Sequence, residues 1–243
     1  MIQTATRING RWELILPSHR AMRPEWETGW ETERLDMMHA TIRPGDVVYD
    51  VGSEEADLSA LYAMWAGPDG GVVLIEPNEL VWGNALWIWE ANHLSPPIGC
   101  VAGFAGPRDT ADGQRDTAAD GWPSCAHGPL IPDHGFVQLA ERPDIAVVRL
   151  DTLAQRFPPP DVVSIDVEGA EWEVLKGATG LLGGSRPIFF VSVHPEPMRL
   201  YGHAPDDLYA FMDSFGYQRL HIATDHERHE VFWHPLGRAP ALR

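Results

Sequence analysis

The spacing of apolar and polar positions along the chain sorts it into two kinds of segment. Short apolar runs, VVYDVG (47–52), GVVLIEP (71–77), the opening of DVVSIDVEGAEWEVLKGA (161–178) with Val162, Val163 and Ile165, and RPIFFVSVHPEP (186–197), which ends at polar residues, read as strands of a buried sheet. Between them apolar residues recur at helical spacing, from about Leu58, from about Glu79 and after Gly169. With PIGCVAG (97–103) and DIAVVRL (144–150) read as further strands, the pattern is βαβαβ and its continuation, which predicts a parallel sheet flanked by helices. Upstream, residues 11–17 read as a short strand and 25–42 as one helix with Trp26, Trp30, Leu35, Met38 and Ile42 turned inward. Downstream, a helix near 206–214 precedes GYQRLHIAT and HEVFWHP, which read as a closing antiparallel hairpin.

Length and rhythm together predict a single domain of 243 residues. Residues 1–43 form an amino-terminal cap, 44–103 the first half of the sheet and 145–243 the second. Residues 104–144, rich in Gly, Pro and Asp, are too long for a plain connection and read as an insertion or lid.

Charge narrows the partners. A formal net charge of −17 repels a polyphosphate backbone, so nucleic acid is not the expected substrate. Lys176 is the single lysine, which leaves one candidate for a Schiff base, and it lies beyond the acid cluster described below. Two cysteines, Cys100 and Cys125, define no disulfide framework or zinc site. The amino terminus lacks the basic region and long apolar core of a secretory signal, and no stretch reaches the length of a membrane span. The cytoplasm is therefore the expected location, with no membrane partner; oligomeric state is not readable.

Candidate chemistry gathers at strand ends. In DVVSIDVEGAEWEVLKGA (161–178) an apolar run turns into Asp166, Glu168 and Glu171 where a strand hands over to a helix, the crevice in which open α/β sheets bind ligands. The first strand ends in Asp50-Val51-Gly52-Ser53-Glu54-Glu55-Ala56. A dinucleotide site would need G-x-G-x-x-G there, and only Gly52 is present. Glu54 and Glu55 put negative charge where phosphates would lie, which favours a cofactor with a cationic reacting end, such as the sulfonium and ammonium of S-adenosylmethionine. Glu76, at the end of the second strand, is placed to accept hydrogen bonds from two ribose hydroxyls.

YDVGSEEADLSAL, VVLIEPN, FVSVHPE and above all IDVEGAEWEVLKGA resemble the FkbM family of S-adenosylmethionine-dependent methyltransferases over about residues 44–200. The resemblance implies a Rossmann-like class I methyltransferase fold: an α/β domain with a mostly parallel seven-stranded sheet, helices on both faces and a closing antiparallel hairpin. It implies S-adenosylmethionine as cofactor and transfer to a hydroxyl of a carbohydrate, glycoconjugate or secondary metabolite. Ala56 stands where the family usually has a second glycine, and the acids at 54 and 55 also depart from its commonest form.

Under this reading the cofactor lies against Asp50, Gly52, Ser53, Glu54 and Glu76, with Pro77, Asn78, Gly103 and Phe104 around adenine and Asp166 beside the methionine moiety. Asp166, Glu168 and His194 are the catalytic candidates. His194, ending the fifth strand, is the preferred general base, Glu168 orients a hydroxyl or acts as base, and Glu171 holds the helix start. Asp166, Glu168 and His194 are also plausible Mg²⁺ or Mn²⁺ ligands, but no ligand spacing demands a metal and none is expected. Trp82 and Trp89 read as core, Trp122 and His127 as acceptor contacts or as a self-packed loop core, and the histidines at 221, 226, 229 and 234 as a solvated hairpin. A non-catalytic adenosyl-binding or partner-binding module on the same fold is the alternative.

Overall fold

The computed structural model describes residues 3–110, 117–132 and 134–241. An antiparallel hairpin, β1 (Gln3–Ile8) and β2 (Trp12–Pro17), leads into α1 (Ser18–Ala21), α2 (Glu25–Thr28) and α3 (Thr32–Thr41). The repeating part follows as β3 (Val47–Val51), α4 (Asp57–Ala66), β4 (Gly71–Ile75), α5 (Trp82–Ala91) and β5 (Gly99–Val101). After the short β6 (Phe104–Ala105) and β7 (Val147–Val148) come α6 (Leu150–Arg156), β8 (Val162–Ile165), α7 (Glu171–Lys176), α8 (Thr179–Gly183) and β9 (Ile188–Val193). The chain closes with α9 (Pro195–Met198), α10 (Pro205–Ser214), β10 (Gln218–Thr224) and β11 (Arg228–Trp233).

Seven of these strands make one sheet in the order β10-β11-β9-β8-β3-β4-β5. β5, β4, β3, β8 and β9 run parallel, and β11 and β10 run antiparallel beside them. The chain builds outward from β3 to β5 and then crosses to the other side of β3, so the strand order reverses between β3 and β8. That reversal opens a crevice at the strands' carboxyl ends. Both faces of the sheet's parallel part are covered, which is why its parallel strands are mostly apolar on both faces rather than alternately, whereas edge strand β10 is largely exposed. Val48, Val72 and Leu74 pack toward α3, α4 and the amino-terminal hairpin, whereas Tyr49, Val51, Val73 and Ile75 pack toward α6, α7 and α10.

Three elements differ from the sequence reading. The helix predicted over 25–42 is two helices, broken where Gly29 takes φ 111 and Glu31 φ 43. The strand predicted over 144–150 shrinks to Val147–Val148, paired with β6 outside the main sheet, because the Thr110 hydroxyl and Asp109 carboxylate accept the backbone N–H groups of Val147 and Arg149. The cap strand read over 11–17 begins at Trp12 and has a partner, β1, that the sequence reading left out. Among the described residues no helix is long and apolar enough to cross a membrane.

Candidate active site

A cavity of about 340 Å³ opens at the carboxyl ends of β3, β4, β5 and β8. Its first wall is built by the β3 turn. Gly52 takes φ +85, and a Cβ there would lie 1.7 Å from the carbonyl oxygen of Asp166, so only glycine lets β3 and β8 close on each other at this point. Glu54 (φ 46) and Ala56 (φ 64) then carry the turn through the left-handed region into α4. Ala56 thus follows the left-handed path that glycine would take more cheaply.

Glu76 lies beside this turn, buried at the end of β4. Its Oε1 accepts the Asn78 N–H at 2.7 Å and its Oε2 the Glu54 N–H at 3.0 Å, so it ties the β4 end to the β3 turn. Burial pushes its pKa up to about 7 against the pull of those two amides. Pro77, Asn78, Gly103 and Phe104 line the cavity next to it, with Val51, Ile75, Val81 and Ala105 adding apolar surface.

The acids at 54 and 55 are not free negative charge, which corrects the electrostatic reading of this turn. Arg20, a buried residue of the cap, donates to both Glu54 oxygens at 3.0 and 2.9 Å and to Asp57 at 2.7 Å. Glu55 points away from the cavity. It meets His19 at 2.8 Å and His134 at 2.9 Å, and although burial opposes its charge, these partners and Arg20 hold its carboxyl below the usual range. Asp50 and Ser53 line a smaller neighbouring cavity of about 70 Å³ instead of the large one. Asp50 is buried against the Ser59 hydroxyl, because alternation along β3 sends its side chain to the cap face and Val51 to the other.

The second wall is of a different character. Asp166 and Glu168 project from the end of β8 and line the same cavity. Glu168 takes φ 52, and Gly169 follows at φ 104 with Pro197 so close that a Cβ would meet its carbonyl carbon at 2.5 Å. This left-handed pair swings the chain away from β8 before α7 begins and leaves Glu168 part exposed at the cavity edge. Glu171, fully buried in the first turn of α7, accepts the Gly169 N–H at 2.9 Å and meets His194 Nδ1 at 2.7 Å. It therefore holds the helix start, as expected, and fixes a histidine as well.

His194 ends β9, the neighbour of β8. Around its Nε2 lie Asp166 at 3.7 Å, Glu168 at 3.8 Å and Glu227 in close contact. Burial disfavours the charged ring, but the hydrogen bonds to Glu171 and Glu227 and the charge of Asp166 outweigh it and raise the pKa to about 11. This environment favours the charged ring, which argues against His194 as the general base. Glu227 is drawn down to about 2: burial works against its charge, and His194 more than compensates. Asp166, half-buried and facing Glu227 and Glu31, is held well above the carboxylate range by desolvation and those charges. Glu168 is also raised, by burial.

The geometry and the comparisons with known proteins agree. The model of the methyltransferase FkbM domain matches residues 46–219. The chain belongs to the FkbM methyltransferase family. A solved FkbM methyltransferase from Methylobacillus flagellatus KT superposes with a TM-score of 0.53 at 17% identity over 84% of this chain and 51% of that one. The present chain thus spans about half the length of that relative. An S-adenosylmethionine-dependent methyltransferase from Aquifex aeolicus is similar at a TM-score of 0.49 and 10% identity, over 88% of this chain and 94% of that one. Fibrillarin from Aeropyrum pernix, solved with natively bound S-adenosyl-L-methionine, reaches 0.47 and 13%, over 95% and 82%. No curated protein sequence matches. The fold is the Rossmann-like one of class I methyltransferases, and the cofactor that goes with the family is S-adenosylmethionine.

Several residues of the FkbM site come from elements that the sequence reading assigned elsewhere. Glu227 and His226 were placed in a solvated turn, yet β11 pairs antiparallel with β9 so that Arg228 lies opposite Val193. The turn before β11 must then sit at the end of β9, beside His194. His226 lines the cavity and stacks on Trp30 of the cap at 4.6 Å, while His229 is fully buried against Ser192, which corrects its assignment to the surface. His221 and His234 remain on the hairpin's outer part, near Glu230 and Tyr217. From the 104–144 segment, His134, Gly135, Phe136, Val137 and Leu139 cross the cavity mouth. Trp122 joins Trp82 and Trp89 in the core, and His127 is half exposed near Asp120.

Proposed function

We propose that this FkbM protein transfers the methyl group of S-adenosylmethionine to a hydroxyl oxygen of a carbohydrate, glycoconjugate or secondary metabolite in the cytoplasm. One observation carries the reading: a single cavity joins an apolar wall ending in Glu76 to a carboxylate wall presenting Glu168.

The residues present suit the cofactor. Its volume falls within the range of small-molecule sites, about 300–1,000 Å³. Glu76 has lone pairs left, beyond the two amide bonds, for a ribose diol. Phe104 and Val81 offer apolar surface to a base, and Glu54, though paired with Arg20, still faces the cavity where an ammonium group would lie. When bound, the cofactor supplies a sulfonium methyl group to in-line attack by oxygen.

The chain's own part is positioning and proton transfer. Glu168 takes the acceptor's hydroxyl proton, being at the cavity edge and having a carboxylate made more basic by burial. His194, already carrying its proton, holds Asp166, Glu168 and Glu227 together and compensates their charge. The net charge of −17 supports a small acceptor over nucleic acid.

Calorimetry against S-adenosylmethionine and S-adenosylhomocysteine, followed by methyl-label transfer to a panel of sugars, polyketides and RNA, tests this. Both ligands bind, label reaches a hydroxylated small molecule, and Glu168→Gln stops transfer while binding persists. No heat from either ligand sinks the reading, and label on RNA overturns the acceptor class.

A further inference from the structure

We propose that Glu55 and His134 are the two halves of a latch that holds residues 134–139 over the bound cofactor. Glu55, which does not line the cavity, is then a positioning residue that governs how long the cofactor or its demethylated product stays. The inference rests on the reading of the large cavity as the cofactor's.

The Glu55 side chain is 1% exposed and collects partners from three separate elements. His19 of α1 meets its Oε2 at 2.8 Å, Asn84 of α5 donates to the same oxygen at 2.9 Å, and Nε2 of His134 meets Oε1 at 2.9 Å. Arg20 adds its charge at 3.6 Å. Of these partners only His134 lines the cavity. The carboxylate therefore joins the body of the domain, through α1 and α5, to the segment at the cavity mouth. Both ring nitrogens of His134 face oxygens, the second being the Gly135 carbonyl at 3.2 Å, and this environment favours the charged ring. A hydrogen bond between ionised partners is about twice as strong as a neutral one.

Little else holds the segment. Upstream the chain is seated firmly: Asn84 accepts the Ile131 N–H at 3.0 Å and donates to its carbonyl at 2.6 Å, and the Pro129 carbonyl lies 2.9 Å from where a Cβ of Gly83 would stand. Downstream, the Tyr201 hydroxyl accepts the Ala140 N–H at 3.3 Å. Between these points, among the described residues, the backbone of 134–137 makes no hydrogen bond to other backbone groups. Besides the latch, Asn78 alone among the described residues ties this stretch to the body by a hydrogen bond, donating to the Gly135 carbonyl at 3.1 Å. A span with so few backbone bonds opens at low cost once its side-chain anchors release.

Two further features fit a joint that opens. Phe136 lines the cavity and yet is 70% exposed, so a movement of 134–139 onto a bound base would bury apolar surface that is now in water. The anchor itself is ionic, and buried ion pairs add little stability over packed apolar side chains. What they add here is a contact that parts without exposing apolar surface.

The test reads hydrogen exchange over residues 134–139 by mass spectrometry and the rate at which S-adenosylhomocysteine leaves by surface plasmon resonance. In the wild type the ligand slows exchange in this span. His134→Ala raises exchange in the unliganded protein and speeds ligand departure by about 10- to 150-fold, as expected for losing one hydrogen bond to a charged group. The melting temperature and the association rate barely move. His134→Gln, which keeps an N–H donor, recovers part of the hold. Glu55→Gln speeds departure as well, and the double variant is no faster than the faster of the two single ones. Equal exchange over 134–139 in unliganded wild type and His134→Ala overturns the latch. Faster exchange, or a lowered melting temperature, with an unchanged departure rate overturns its hold on the cofactor. A wild type that binds no S-adenosylhomocysteine removes the reading of the cavity, and exchange in the unliganded protein still decides the latch.

Discussion

The two walls of the cavity solve the problem of burying acids in opposite ways. On the β3–β4 side the acids are well supplied with partners: Arg20, shared by Glu54, Asp57 and Glu55, His19 and His134 for Glu55, and two backbone amides for Glu76. On the β8–β9 side Asp166, Glu168, Glu171 and Glu227 crowd around one imidazole, with His226 against Glu227 and the charge of Arg34 acting on Asp166 and Glu227. A wall whose charges are individually satisfied holds its shape before anything binds, which suits a constant cofactor. A wall short of positive charge stores unfavourable energy that a ligand relieves, which suits the place where charge moves during reaction. The difference supports the proposed division of labour, binding on the first wall and chemistry on the second.

The sharpest break of this contrast is His194→Ala. It removes the shared cation from the second wall and leaves the first intact, so turnover falls by about 10²- to 10³-fold while S-adenosylhomocysteine affinity, measured by calorimetry, does not change. Equal loss of both would mean that the walls are not separate. Next in size is Gly52→Ala, at the seam between them. Its Cβ would run into the Asp166 carbonyl, costing at least about 3 kcal/mol and lowering the melting temperature by roughly 6–12 °C. A melting temperature equal to wild type would show that β3 and β8 can slide apart here. The converse of the histidine experiment is Glu76→Ala, which lowers S-adenosylhomocysteine affinity by about 10- to 150-fold through lost charge-assisted hydrogen bonds.

Legibility in the sequence followed the same division. Glu76, Gly52, Asp166 and Glu168 were readable because each lies within three residues of an apolar strand whose direction is known, and strand ends define the crevice. The class of sheet was readable for the same reason. Glu227, His226 and Trp30 were not, since their arrival depends on β11 pairing antiparallel with β9 and on a break at Gly29 in the cap. Arg20 was hidden too: nothing local marks it as the partner of acids 34 and 37 residues away. Position was therefore easier to read than charge. His194 was located at the end of β9, but the charge around it was not readable, because two of its four acids, Glu171 and Glu227, lie in a helix start and in the turn read as solvated.

The smallest effect probes the first wall without a large perturbation. Burial raises the Glu76 pKa from its ordinary 4.5 to about 7, with the nearby charge of Glu54 adding to the rise and the Asn78 and Glu54 amides and His134 opposing it. The folded protein thus binds a proton that the unfolded chain has released, so this group's contribution to stability is largest below pH 4.5 and declines as pH rises toward 7. Cofactor binding carries the opposite sign. Two ribose hydroxyls need an acceptor, and the ionised carboxylate is the better one. Between pH 6 and 8 its ionised fraction climbs from about a tenth to about nine-tenths. S-adenosylhomocysteine affinity accordingly rises by about tenfold over that interval, and Glu76→Gln shows a flat, weaker profile. A rise that survives in Glu76→Gln would place the titrating group elsewhere and remove Glu76 from the ribose.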